Sequence, residues 1–324
     1  MKIFVAGASG AIGRRLVPQL IDQGHDVTGT TRSPRNTGLI ARMGARPVVL
    51  DGLDADAVTR AVRAAEPEVV IHQMTSLAHP MDMKKFDVGF AITNRLRTEG
   101  TDHLVRAARA AGARRLIAQS YSGLTNIREG GPVKTEADPY DPDPPQRMRE
   151  SVAATRHLEA IVPAAEGLEG LVLRYGPLYG PGTSLGEGGH YLELMHKRQF
   201  PIVGDGGGLW SFIHVDDAVS ATVAAIERGA PGIYNIVDDE PAPVAEWLPW
   251  LAETLGAKPP RRVPVWLGRM FVGEVGIVMS TQLRGSSNAK AKRELGWSPR
   301  WSTWRDGFRA GLADRPAPQL LIAS

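Results

Sequence analysis

Gly7, Gly10 and Gly13 stand in GASGAIG, directly after the apolar run KIFVA and directly before a helical pattern. Glycine at these positions permits a tight turn, close approach of the backbone to a pyrophosphate, and close packing of helix on strand. The free N–H groups at the helix start then face the phosphates. Gly7, Ser9, Gly10, Ala11, Ile12 and Gly13 therefore read as the phosphate end of a dinucleotide site. The spacing is GxxGxxG and not the commoner GxGxxG; the strand before it and the helix after it give it meaning.

The second strand pattern ends near Thr30, where an NAD enzyme places Asp or Glu on the ribose hydroxyls. From Val27 through Leu50 there is no acid, and TTRSPR follows instead. Arg32 and Arg35, with the hydroxyls of Thr31 and Ser33, suit a 2′-phosphate. They point to NADP(H) ahead of NAD; the alternative is that both are solvated loop charges. Asp51 and Gly52, after the third strand, either reach the adenine or begin an ordinary turn.

The elements that position these residues follow from the patterning. Short apolar, partly β-branched runs at KIFVAG, DVTGT, PVVL, EVVIHQ, RRLIAQS and LEGLVLRY predict buried parallel strands. Helical patterns lie between them, one with Asp54 as N-cap and one ending on Gly112. The alternation predicts an α/β, Rossmann-type doubly wound parallel sheet. Residues 1–175 read as the NAD(P)-binding domain. Residues 176–324 read mainly as a smaller α/β substrate-binding lobe, with parts of about 205–232 returning to the first domain. The segment 123–145, dense in Pro, Gly and Asp, predicts a surface loop or lid. Asp216 is expected to cap a helix.

Composition narrows the classes. Of 324 residues, 43% are hydrophobic and 23% charged, and no stretch is apolar for the roughly 18 residues of a membrane span. The N-terminus lacks a secretory pattern, so a cytoplasmic protein is expected. Zero Cys excludes disulfides, thiolate metal sites and a Cys nucleophile, so redox chemistry here needs a cofactor. Lys+Arg 38 against Asp+Glu 35, without a run of one sign, gives nucleic-acid binding little support. His72, His79 and His103 show no metal-ligand spacing, and no metal is expected. All seven Trp follow residue 205, a sign that the two halves do different work.

Taken with EVVIHQMTS, EGTDHLVRAARAAGARRLIAQS, LRYGPLYGPGT, WSFIHVDDAVSATVAAIE, GIYNIVDDEP and AKRELGWSP, the glycine turn resembles the extended short-chain dehydrogenase/reductase group, the NAD-dependent epimerase/dehydratase family. The resemblance covers nearly the whole chain. It implies that the middle motifs, with Gln73, Met74, Tyr175 and Pro177, line the cofactor and that the C-terminal half holds a small-molecule substrate. It also implies a homodimer through the helices near 85–112 and 146–162.

The family's Tyr and Lys, four residues apart, are missing. Aligning Glu159 with the Glu that ends the motif puts Ser151 where Tyr belongs and Thr155 where Lys belongs. An aliphatic hydroxyl is far too weak an acid to replace an activated phenol. Ser120, Tyr121 and Ser122, at the end of the fifth strand, are the remaining catalytic candidates; Tyr121 is either an acid or a packing aromatic. Tyr179, His190 and Trp210 are candidates for the substrate side. Trp210 stands where nucleotide-sugar enzymes carry an Arg, which argues for an uncharged substrate, unless it is a core residue. The expectation is an atypical NAD(P)-dependent oxidoreductase acting on a carbonyl or secondary alcohol. The alternatives are a non-catalytic NADP(H)-binding sensor or scaffold, and a sugar epimerase or dehydratase.

Overall fold

The computed structural model describes residues 1–77 and 82–314; His79 lies outside them. The apolar runs become β1 (Lys2–Ala6), β2 (Asp26–Thr31), β3 (Arg46–Val49), β4 (Val69–His72), β5 (Arg115–Tyr121) and the strand Glu169–Tyr175. A further strand, Gly232–Ile236, completes a seven-stranded sheet in the order 232–236, 169–175, β5, β4, β1, β2, β3. Every pairing is parallel. The chain winds outward from β1 to β3 and restarts beyond β1 with β4. A crevice therefore opens past the C-terminal ends of β1 and β4.

Helices α1 (Gly13–Asp22), α2 (Thr37–Arg42), α3 (Ala55–Ala65), α4 (Phe86–Arg95), α5 (Thr101–Ala110) and α6 (Arg149–Ile161) link the strands. Alternate side chains of β1 divide the core between two faces. Ile3 and Val5 pack with Leu16, Val17 and Leu20 of α1 and with Ala218 and Val219 of the helix Val215–Ala224. Phe4 and Ala6 pack with α3, α5 and α6 through Val58, Leu104 and Leu158. Burial on both sides explains why β4 reads as an unbroken apolar run. A third core gathers Tyr179, Phe212, Trp247, Trp304 and Phe308, which accounts for much of the tryptophan clustering.

Between α4 and α5 the helix does not break but widens into a π turn, Leu96–Gly100. Such turns rotate side chains off the regular helical faces and are frequent at functional sites.

Asp54 caps α3 as expected, its Oδ1 accepting from Ala57 N at 2.9 Å. Asp216 does not cap a helix. Nδ1 of His214 accepts from Asp216 N at 3.1 Å and takes the cap, and the Asp216 carboxylate pairs with Arg15 at 2.7 Å. The segment 123–145 is not a free lid. Val133–Lys134 pairs with Gly285–Ser286, Arg128 Nε donates to Asp141 at 2.7 Å, and the Tyr140 hydroxyl donates to Glu159. Its composition signals turns, whereas two of these anchors, Gly285–Ser286 and Glu159, lie outside the segment.

Candidate functional site

The glycine turn is held to the end of β2. Gly7 N donates to Thr30 Oγ1 at 3.1 Å, Ser9 Oγ donates to Thr31 Oγ1 at 3.0 Å, and Ser33 N donates to the same Thr31 oxygen at 3.2 Å. Gly7 has φ +94°, and a Cβ there would lie 2.7 Å from Gln73 O. A Cβ on Gly13 would lie 2.6 Å from the Ala8 backbone. Gly10 differs, because a Cβ there would meet only Gly7 O at 3.4 Å. Packing demands Gly7 and Gly13, while Gly10 leaves room beside the bared amides for a ligand.

That room belongs to a cleft of about 1180 Å³ running across the C-terminal ends of β1, β4 and β5. Gly7, Ser9, Gly10, Ala11, Ile12 and Gly13 line it, and so do Thr31, Arg32, Ser33, Asp51, Gly52, Gln73, Met74, Tyr175 and Pro177. Tyr175 is buried and shares hydrogen bonds with Gln73 at 3.1 Å and Thr222 at 2.6 Å, and burial pushes its phenol up to about 12. Arg35 does not reach the cleft. It is exposed on the turn Pro34–Asn36, and Asn36 and Arg14 line the wall instead.

At the other end the hydroxyls of Ser151 and Thr155, the residues aligned with the dyad, are spent within the protein. Ser151 Oγ donates to Asp87 at 2.6 Å, and Thr155 Oγ1 donates to Ser151 O at 2.9 Å. Neither lines the cleft, and among the described residues that do there is no lysine.

Ser120 lines the cleft, but its hydroxyl donates to Glu159 at 2.5 Å. Glu159 is a buried hub that also accepts from Arg174 at 2.9 and 2.5 Å. Ser120 is thereby a structural donor and not a free acid. Ser122 is buried away from the cleft, where it donates to Ser286 Oγ at 2.6 Å. Tyr121 remains, half-buried in the cleft wall, with no hydrogen-bond partner among the described residues. Burial, then the neighbouring Tyr191, push its phenol well above the usual range, and Arg97 offsets this only in part. That is opposite to the activation of a dyad tyrosine. Tyr121 is thus a neutral hydrogen-bond donor.

Tyr179 is not a substrate residue. It is fully buried against Phe308 and His214, with ring centroids 5.0 and 5.1 Å away. His190 lines the cleft at the start of the helix His190–His196. Trp210 serves both readings: one side lines the cleft and the other meets Trp247 at 5.1 Å, while Nε1 donates to Met279 O at 2.9 Å. Met83, Phe86, Phe90, Leu124 and Tyr191 complete an apolar, aromatic chamber around Tyr121.

Sequence reasoning missed Arg97. It lies in the π turn, is only 6% exposed, and lines the chamber. Nη1 donates to Thr155 Oγ1 at 3.4 Å, and the guanidinium sits over Phe90 at 5.7 Å. Burial draws its pKa down to about 10, so it stays charged at neutral pH. A cation from the α4–α5 connection thus reaches the place on α6 where the dyad lysine is expected. One signal was available: Phe90, Arg97, Thr101 and Leu104 fall on one helical face, and a charge on that stripe is out of place.

Residues 3–237 match the model of the NAD dependent epimerase/dehydratase family. The chain is 47% identical over 310 residues to the 3-diazoavenalumate denitrifying reductase of a Streptomyces species, covering 95% of this chain and 99% of that one. Among solved structures, the UDP-glucose 4-epimerase of Thermotoga maritima with UDP-glucose superposes with TM-score 0.76 at 24% identity, covering 96% and 97% of the two chains. The Thermus thermophilus UDP-glucose 4-epimerase with NAD gives 0.73 at 23% identity, over 96% and 98%. At those identities the likeness is one of fold. The chain belongs to the NAD-dependent epimerase/dehydratase family.

Proposed function

We propose that this member of the family is an NADP(H)-dependent reductase whose acceptor is a flat, conjugated diazo compound. The observation that carries the reading is the state of the positions aligned with the dyad: Ser151 and Thr155 are hydrogen-bonded within the protein, and the phenols of Tyr121 and Tyr191 that line the chamber both have their pKa raised by burial. When bound, a reduced nicotinamide supplies a hydride; a ketone needs that and one proton at oxygen, whereas an arenediazonium ion needs the hydride alone (Ar–N₂⁺ + H⁻ → Ar–H + N₂). A site without an activated acid suits the second acceptor. The Streptomyces reductase, named for a diazo substrate and for denitrification, supports the same choice.

The chain's residues divide the work. The amides of the glycine turn receive the pyrophosphate, and Arg32, with Arg14 beside it on the wall, receives the 2′-phosphate. Phe86, Phe90 and Tyr191 exclude water and present flat faces to the acceptor. The lobe after residue 176 closes the substrate side. A homodimer through α4 and α6 is supported by Val88, which α4 leaves exposed.

The test is NADPH oxidation by the purified protein with an arenediazonium carboxylate and, separately, with an aryl ketone. Turnover of the diazonium above the protein-free rate, with little on the ketone, is expected. Efficient ketone reduction alone would return the protein to carbonyl chemistry, and NADPH binding without turnover of any acceptor would favour a sensor.

A further inference from the structure

Arg97 is a buried cation that no carboxylate pairs with directly among the described residues. Glu159, the acid whose field reaches it, is committed to Arg174 in a buried pair, with Ser120 and Tyr140 taking its remaining acceptor capacity. The two carboxylates that line the cleft are engaged elsewhere. Asp51 accepts from Leu53 N at 3.0 Å, and Asp314 pairs with Arg15. Of the five N–H donors on the Arg97 guanidinium, a single long bond to Thr155 is made among the described residues. Burying a cation in this state is costly unless an anion completes it. The Tyr121 hydroxyl, neutral and unpartnered among the described residues, lines the same chamber, and the two groups lie close enough for the charge of one to act on the other.

We propose that Arg97, with Tyr121 as second donor, forms an oxyanion-binding subsite that receives a carboxylate or phenolate oxygen of the aromatic acceptor. The subsite is separate from the phosphate end, where Arg14 and Arg32 line the cleft beside the glycine turn. A guanidinium and a phenol together offer planar, charge-assisted hydrogen bonding suited to a carboxylate. The acceptor is then anionic at its Arg97 end, although Trp210 alone suggested an uncharged one. This inference rests on the reading of the chamber as the acceptor site of a nicotinamide enzyme, and it adds the acceptor's chemical class and a specificity residue.

The experiment titrates the NADP⁺-loaded protein by calorimetry with cinnamate (carboxylate only), methyl 4-hydroxycinnamate (phenol only) and methyl cinnamate (neither). Cinnamate is expected to bind at least tenfold tighter than methyl cinnamate. Arg97→Gln abolishes the preference, Arg97→Lys keeps part of it, and NADPH affinity by fluorescence stays within threefold in both variants. A preference that follows the phenol and also vanishes in Arg97→Gln keeps the subsite and assigns it to phenolate. Equal binding of all three probes, or a preference that survives Arg97→Gln in a variant folded by circular dichroism, overturns the proposal. A variant that loses NADPH together with cinnamate also overturns it, by making Arg97 a cofactor residue. Failure of the wild-type protein to bind NADPH would instead remove the reductase reading itself.

Discussion

Arg97 Nη1 donates to Thr155 Oγ1 at 3.4 Å, so a cation carried by the α4–α5 connection ends at the α6 position where the family's lysine is expected. Arg97 presents there a buried, planar fork of N–H donors, where the expected lysine would present an ammonium. Around it the hydroxyls are engaged: Ser151 is tied to Asp87 and Ser120 to Glu159.

Because the Arg97 charge is buried without a directly paired carboxylate among the described residues, Arg97→Met is expected to stabilise the ligand-free protein by about 1–3 kcal/mol while removing the subsite. Equilibrium urea unfolding measures it. A loss of stability of similar size would mean that the guanidinium is well paired in the free protein.

The three glycines are predicted to fail in different ways. Gly13→Ala forces a Cβ into the Ala8 backbone and is expected to cost about 1–3 kcal/mol of stability along with cofactor binding. Gly10→Ala meets almost nothing, so stability stays within about 0.5 kcal/mol while NADPH binding weakens tenfold or more. Thermal melts and NADPH fluorescence on both variants separate packing from ligand contact; unchanged NADPH affinity in Gly10→Ala would exclude the turn from the site.

Arg32 lines the cleft where no acid replaces it at the end of β2. Arg32→Glu is expected to weaken NADPH at least tenfold, about 1.4 kcal/mol, and to leave NADH unchanged or tighter. An NADH preference in the wild-type protein would overturn the assignment to NADP(H).

How much of this was legible beforehand divides along physical lines. Six strands showed as apolar runs, because burial on both faces writes itself into consecutive residues. Gly7, Gly10 and Gly13 showed because few residues tolerate such close backbone approach. The seventh strand, Gly232–Ile236, lay in a quoted motif but not in the strand reading, since its pairing partner is some sixty residues away. Ser120 and Ser122 looked free because a sequence does not display Glu159 or Ser286 beside them. Arg97 was hidden among charged neighbours: Arg95 is exposed and bound to Glu99, and only the π turn and the packing of α6 bury the next arginine.

His72 gives the fold a pH dependence. Buried beneath the π turn, it accepts from Met74 N at Nδ1 and meets Leu96 O at 3.3 Å through Nε2, so it must stay neutral. Burial lowers its pKa from 6.5 to about 4. The folded value is the depressed one, so its contribution is complete above pH 6.5 and is lost as pH falls toward 4. The maximum slope is about 1.4 kcal/mol per pH unit and the total roughly 3 kcal/mol. Urea midpoints between pH 7.5 and 4.5 should fall in the wild type and fall less in His72→Gln; parallel curves would show that His72 does not titrate on unfolding.

Reduction in this cleft, as proposed, consumes hydride without a dedicated proton donor. Its most direct measurement is the ratio of N₂ released to NADPH oxidised when the protein turns over an arenediazonium carboxylate under argon, with the protein-free rate subtracted. One N₂ per NADPH, with the nitrogen replaced by hydrogen in the product, is the predicted result. NADPH oxidation without N₂, leaving a product that retains both nitrogens, would contradict hydride transfer with loss of N₂.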